Sequence, residues 1–228
     1  MQQEVKYWYL RNHQIFSQIT DDKYQELCVW VGFKKALKNE AIFFSHETTK
    51  RLYFLKKGML KIISLDAEGN EVTKDIIQKG DIFGEISLDE VTENNASEYA
   101  KVMSDEAVMC TFTLDNFEKV LAKYPTISLK FTKKVGDKLK TLENRYNNLI
   151  FKDVRTRVIH FLKKFVKDNG EDQQGIFSAR NYLTHQDIAH LTGSTRQTVT
   201  SILNQLKKEN KLIYSRNEIV IPDMDGLY

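Results

Sequence analysis

Three textures of hydrophobic and polar spacing follow one another along the chain. Residues 7 to 30 read as a short helical segment. From about 32 to 118 the apolar runs are brief and punctuated by turns: "RLYFLKKGMLKIISL", then "DAEGNE", then "VTKDIIQKGDIF". Glu68-Gly69-Asn70 between two β-rich runs predicts a hairpin, and the regular turn spacing predicts a barrel or roll. From about Thr126 to Phe151 the pattern becomes one long helix without an internal proline. Its apolar positions Val135, Leu139, Leu142, Tyr146 and Leu149 are spaced 4, 3, 4 and 3 apart. That is a heptad seam. It predicts a dimer interface with a second copy of the chain, the alternative being a helix packed on its own domain.

The third texture begins near Lys152 with "VRTRVIHFLKKFV", a helix ended by Asn169-Gly170. A polar loop to Asn181, two short helices and a terminal hairpin, "KLIYSRNEIVI", with its turn at Ser215-Arg216-Asn217, are expected to follow. A linker or hinge is expected at residues 151 to 154.

Within this region, a twenty-residue window opening at His185 puts Ala189 fifth, Gly193 ninth and Val199 fifteenth. A helix-turn-helix makes these demands: a small residue where two helices cross, a glycine that accepts positive φ in the turn, and a buried residue between the helices. Ile188, Leu191, Ile202 and Leu206 complete the shared apolar face. Thr184, with Asp187 three residues on, is positioned to cap the first helix. Ser194 or Thr195 can cap the second, Ser194 with Gln197 forming a capping box. The second helix then opens with Thr195, Arg196, Gln197, Thr200 and Ser201, all hydrogen-bonding and none acidic. Arg suits guanine or phosphate, Gln suits adenine, and hydroxyls suit phosphates and base edges. Thr184, Ser194, Thr195, Arg196, Gln197, Thr200 and Ser201 are therefore the predicted contacts to double-stranded DNA. Lys207, Lys208 and Lys211 make the following turns basic.

Composition narrows the alternatives. Of 228 residues, 41% are hydrophobic and 29% charged, with only 2 Pro and 10 Gly, which argues against a disordered or fibrous chain. No apolar stretch reaches the roughly 18 to 20 residues that span a bilayer, and no basic-then-apolar export signal opens the chain. A cytoplasmic protein with no membrane partner is expected. Residues 151–228 hold 12 Lys+Arg and 9 Asp+Glu; subtracted from totals of 34 and 31, this leaves 22 of each sign before them. The formal excess of +3 is thus C-terminal, a mild pointer to a polyanion at that end. Cys28 and Cys110 form no CxxC pair and read as buried thiols. His13, His46, His160, His185 and His190 make no metal-binding cluster and read as surface or capping residues; no haem, iron-sulfur cluster or other metal is expected. With no phosphate loop, nucleophile elbow, HExxH or Ser/His/Asp set, no catalytic residue is assigned and no enzyme is expected.

The segment "LTHQDIAHLTGSTRQTVTSILNQLKKENKLI" resembles the DNA-binding signature of the CRP/FNR family of bacterial transcription regulators, and "KGDIFGEISL" resembles the turn leading into that family's cyclic-nucleotide-binding roll. The resemblance, over about residues 30 to 225, implies an α+β fold in three parts. A sensor β-roll of jelly-roll type spans 1–125, a dimerisation helix 126–151, and a winged helix-turn-helix 152–228. It also implies a homodimer on a near-palindromic operator, with RNA polymerase as a further partner. Arg196, Gln197 and Ser201 fall where the family makes its main base or phosphate contacts. Only the arginine keeps the type found in the cyclic-AMP-binding and oxygen-sensing branches, which have Glu and Arg at the other two positions. A different operator is therefore expected.

The sensor departs further. By resemblance, Gly84, Glu85, Ser97, Glu98, Lys101 and Leu142 are the candidate ligand residues, with Glu85 able to accept a ribose hydroxyl. The cyclic-AMP-binding members follow Gly-Glu with Arg-Ser to hold the cyclic phosphate; here the region reads "DEVTENNASEYAKV", and no arginine occurs between Arg51 and Arg145. Asp89, Glu90, Glu93 and Glu98 would repel a phosphate unless Lys101 compensated, and lysine lacks the planar bidentate fork. Leu142 and Glu143 stand where those members place hydroxyls against the adenine. Cyclic AMP is a possible ligand, but its phosphate-binding arginine is missing. The competing expectation is a cyclic-nucleotide signalling module whose helix-turn-helix contacts protein.

Overall fold

The computed structural model describes residues 10, 13–17, 20–43, 49–84 and 98–228. It divides into two compact units, 1–139 and 140–228, and the division falls inside the long helix.

In the first unit, helix α1 (Asp21–Trp30) precedes eight strands: β1 (Gly32–Leu37), β2 (Ala41–Phe43), β3 (Arg51–Lys57), β4 (Leu60–Leu65), β5 (Glu71–Ile77), β6 (Ile82–Gly84), β7 (Glu98–Val102) and β8 (Glu106–Thr113). Two four-stranded antiparallel sheets result, ordered β1-β8-β3-β6 and β2-β7-β4-β5. The expected roll is present. Its core lies on both faces of β3: Tyr53 and Leu55 join Ile62, Ala100, Val102 and Met109 on one side, while Leu52 and Phe54 join Cys110, Phe112, Phe117 and Ile127 on the other. This two-sided burial explains why "LYFL" runs apolar without alternation. At the hairpin, the Asp66 carboxylate accepts from the backbone N–H groups of Glu68 (3.0 Å) and Asn70 (2.7 Å), and Gly69 takes φ +83°. Cys28 and Cys110 are both buried, and neither forms a disulfide among the described residues.

The N-terminal segment is not a single helix. His13 Nδ1 accepts from the Ile15 N–H at 3.2 Å, and the Phe16 N–H bonds back to the His13 carbonyl at 2.9 Å, so residues 13–17 close a tight turn before α1. His13 is only 2% exposed, which corrects its assignment to the surface. Burial first, then Lys56 and Lys134, lower its pKa to about 3. His46 lies outside the described residues.

After α2 (Leu114–Lys123), capped by Thr113, the long helix α3 runs from Pro125 to Phe151, with proline where its missing N–H costs nothing. Its first half is fixed to the roll by Lys134–Asp81 (2.9 Å) and by Lys138–Asp75.

The second unit takes the last turns of α3, then α4 (Val154–Asn169), α5 (His185–Thr192), α6 (Arg196–Lys208) and a sheet ordered β11-β12-β10-β9. Its strands are β9 (Glu171–Gln173), β10 (Ile176–Arg180), β11 (Ile213–Tyr214) and β12 (Glu218–Ile221). The polar stretch after Gly170, expected as a loop, is a hairpin. Gln174 (φ +57°) and Gly175 (φ +89°) supply the two left-handed residues of a tight turn, and Asp172 Oδ1 accepts from the Gly175 N–H at 2.8 Å. Polar side chains hid it because β9 is fully exposed. The terminal hairpin β11–β12 forms as expected, with Ser215 bonding across its turn. Val158, Leu162 and Val166 of α4 are fully buried, as are Ile188, Ala189, Val199, Leu206 and Ile219 in the elements that pack beside it.

Candidate nucleic-acid interface

The two short helices begin and end where their side chains dictate. Thr184 and Asp187 form a complete capping box: the Thr184 hydroxyl accepts from the Asp187 N–H (3.1 Å) and donates to Asp187 Oδ2 (2.7 Å), which also accepts from the Thr184 N–H (3.0 Å). The buried carboxylate is thereby satisfied. Gly193 closes α5 at φ +59°, and the Ser194 N–H bonds back to the Ala189 carbonyl at 2.9 Å. A side chain at 193 is disfavoured by the left-handed φ, and its Cβ would stand 2.7 Å from Leu149 Cδ2, so the end of that leucine would have to shift.

Thr195 caps α6, its hydroxyl accepting from the Thr198 N–H at 3.1 Å. The alternative box of Ser194 with Gln197 does not form. Ser194 is committed by its backbone to the glycine turn, so the helix starts one residue later and Gln197 is left at the surface. Arg196, Gln197 and Ser201 are exposed, and their side chains make no hydrogen bond among the described residues. Val199, Ile202, Leu203 and Leu206 face inward, which fixes the rotation of the helix and turns 196, 197, 201 and 204 outward.

Thr200 differs from its neighbours. Half-buried, its Oγ1 lies 2.8 Å from the Arg196 carbonyl and 2.8 Å from His185 Nδ1. His185, the first residue of α5, also tilts against Tyr214 with ring centroids 5.4 Å apart, and Tyr214 is anchored through its hydroxyl to the Leu183 carbonyl at 2.8 Å. Burial, then Lys207 and Arg196, hold the His185 imidazole below its ordinary pKa. Nothing in the spacing signals this pair; it exists only where the two helices cross.

A second residue that spacing did not single out is Arg157 on α4. Its Nε donates to the Thr192 carbonyl (2.8 Å), Nη1 to Lys152 (2.7 Å) and Nη2 to Gly193 (3.1 Å). One guanidinium therefore braces the helix-turn-helix turn and the two residues between α3 and α4. Asp153 reinforces that junction by capping α4, accepting from the Thr156 N–H at 2.8 Å.

Comparison with known proteins joins this interface to the roll. Residues 33–124 match the cyclic nucleotide-binding domain family, and residues 156–228 match the Crp-like helix-turn-helix domain family. Two different family profiles in this order cover most of the chain. The chain belongs to the CRP/FNR family of transcription regulators. It is 26% identical over 185 residues to the global nitrogen regulator of Synechocystis, covering 81% of each protein. It is 26% identical over 178 residues to the cAMP-activated global transcriptional regulator CRP of Salmonella typhimurium, covering 77% of this chain and 82% of that one. A solved double mutant of CooA from Carboxydothermus hydrogenoformans is similar at 25% identity, with a TM-score of 0.74 over 96% of this chain and 95% of that one. This CRP/FNR protein is a DNA-binding transcription regulator.

Two further sets of family positions can be located. On α3, Val135, Leu139, Leu142, Tyr146 and Leu149 are all exposed, as are Leu129, Ile150 and Phe151 nearer its ends. In the roll, Gly84 ends β6 at φ +114°, close against the Arg51 carbonyl, while Glu85 and Ser97 lie outside the described residues. Glu98 and Lys101 stand on opposite faces of β7, being three positions apart in the strand. Glu98 is paired with Lys74, and Lys101 lies 3.7 Å from Glu71, which also accepts from the Tyr99 hydroxyl at 2.5 Å. Each charge thus has a protein partner. Among the described residues no group of three or more His, Cys, Asp or Glu is arranged to hold a metal, and no helix is long and apolar enough to cross a membrane.

Proposed function

We propose that this regulator acts as a homodimer joined along Val135, Leu139, Leu142, Tyr146 and Leu149, each copy presenting the opening of α6 to a major groove. Two-fold symmetry then calls for a near-palindromic operator with half-site centres about 34 to 36 Å apart. The observation that carries this is the outward face of α6: Arg196, Gln197 and Ser201, exposed and without internal partners, on a helix whose rotation is fixed by a buried opposite face. Arg196 supplies the bidentate contact to guanine or phosphate, Gln197 the contact to adenine, and Ser201 a contact to phosphate or base edge. Thr184, Ser194 and Thr195 border the same face; the capping hydroxyls of Thr184 and Thr195 are engaged within the protein, and the Ser194 hydroxyl is the one left to approach a phosphate. Lys207 and Lys208 add positive charge along the helix. Transcription control then runs through RNA polymerase in the cytoplasm. Selection of bound sequences from random duplexes, followed by titration at two salt concentrations, tests the proposal. A preferred near-palindrome and a steep salt response are expected, and a flat response without preference would defeat it.

We further propose that the roll does not hold cyclic AMP as the family's cyclic-AMP-binding members do. Glu98 and Lys101 face opposite ways and are engaged by Lys74 and Glu71, and no arginine between Arg51 and Arg145 is available for the phosphate. A ligand that prefers the folded protein raises its apparent stability. Cyclic AMP is expected to leave the melting temperature unchanged, and a clear upward shift would overturn this part.

A further inference from the structure

We infer that Thr200 reads DNA through its methyl group, not its hydroxyl, and that His185 is the positioning residue that holds it so. The inference rests on the groove contact proposed above and deepens it, naming the base group that Thr200 recognises.

A threonine hydroxyl has one proton to donate. Here Oγ1 stands between two protein groups at 2.8 Å, the Arg196 carbonyl one turn back and His185 Nδ1 on the other helix. Whichever neighbour takes the proton, the donor is spent within the protein. If it goes to the carbonyl, the imidazole N–H donates to the same oxygen and occupies a lone pair as well. The hydroxyl is therefore turned inward from both sides, and the tetrahedral Cβ directs Cγ2 away from them.

The position matters because Thr200 sits among the exposed residues of the α6 face, one turn after Arg196 and beside Ser201. A methyl group presented there meets the major-groove edge of a base pair. The apolar group on that edge is the thymine 5-methyl, so the contact selects thymine without any hydrogen bond. His185 is braced in turn by Tyr214, whose hydroxyl is tied to the Leu183 carbonyl, so the acceptor or donor that fixes Thr200 is itself held in place. A threonine with a free hydroxyl would instead swing between rotamers and offer a donor to any base or phosphate.

The test replaces each thymine of the selected operator in turn by deoxyuridine, which pairs identically but lacks the 5-methyl. The measured quantity is the ratio of affinities for the two duplexes. Wild-type protein is expected to lose about fourfold at one thymine in each half-site, the worth of one buried methyl group. Thr200→Val keeps a methyl and should keep that ratio. Thr200→Ser keeps the hydroxyl and should bring the ratio to one. His185→Ala, which leaves the hydroxyl held by the Arg196 carbonyl alone and so less firmly fixed, should lower the ratio, whereas a purely structural role for His185 would weaken both duplexes equally. A wild-type ratio of one at every thymine, or a ratio that survives in Thr200→Ser or vanishes in Thr200→Val, overturns the inference while leaving groove binding intact. Loss of sequence preference on all duplexes would instead remove the underlying groove reading, and the inference with it.

Discussion

The roll and the C-terminal unit use polar side chains in opposite ways. In the roll, charges are spent on one another: Glu106 is held between Lys35 (2.6 Å) and Lys57 (2.5 Å), with its pKa lowered to about 2 first by those hydrogen bonds, and Glu98, Glu71, Asp75 and Asp81 each have a lysine. In the C-terminal unit, caps and the Arg157 clamp consume the polar groups that fix the backbone, while Arg196, Gln197 and Ser201 are left unspent on one helix face. A surface that must meet an outside partner keeps its donors and acceptors uncommitted; a scaffold commits them. The uncommitted set is where recognition is expected.

The contrast can be strained most severely through the core. Leu206→Ala, at a fully buried site on α6, should destabilise the C-terminal unit by about 2–5 kcal/mol, seen as lost amide-exchange protection in α4–α6 and not in β3 or β8. Equal loss in the roll would mean that the two units do not respond separately. Arg157→Ala should cost about 2–3 kcal/mol because three carbonyls lose a charged donor. Arg157→Lys should recover only part of this, since an ammonium cannot span all three; full recovery in thermal melts would reduce the clamp to a charge. Thr184→Ala should cost about 1 kcal/mol through the lost capping box, read in the same melts.

A further effect belongs to the roll and depends on pH. Buried His13 is held neutral, its pKa lowered from an ordinary 6.5 to about 3. Above 6.5 neither folded nor unfolded chain protonates it, and the stability is fully present. As pH falls from 6.5 toward 3 the unfolded chain gains a proton that the folded chain refuses, so stability is lost. Denaturant midpoints of the first unit should decline over that window, and His13→Phe should flatten the decline. An unchanged slope in the variant would relieve His13 of the role.

Much of the C-terminal unit was legible in the sequence because its rules are local. Thr184 with Asp187, Gly193, and Thr195 each fix a helix end within four residues, and the heptad spacing gave α3 nearly to its boundaries. What stayed hidden depends on crossings. His185 and Thr200 are fifteen residues apart, and Arg157 reaches Thr192 and Gly193 thirty-five and thirty-six residues on. The hairpin β9–β10 escaped because an exposed strand carries no apolar alternation, its only signal being Gln174-Gly175. His13 was misassigned because burial of a lone imidazole between Phe16 and Phe54 leaves no periodic trace. In the roll, two of the family-derived ligand positions, Glu98 and Lys101, sit in one strand yet point apart.

The central claim is that the outward face of α6 discriminates among DNA sequences. Its most direct measurement compares wild type with Arg196→Ala on the selected operator and on a scrambled duplex of the same length, at matched salt. Loss of about 1–3 kcal/mol on the operator, with little change on the scrambled duplex and an intact dimer, is the predicted result. Equal affinity of the two proteins for the operator would contradict it.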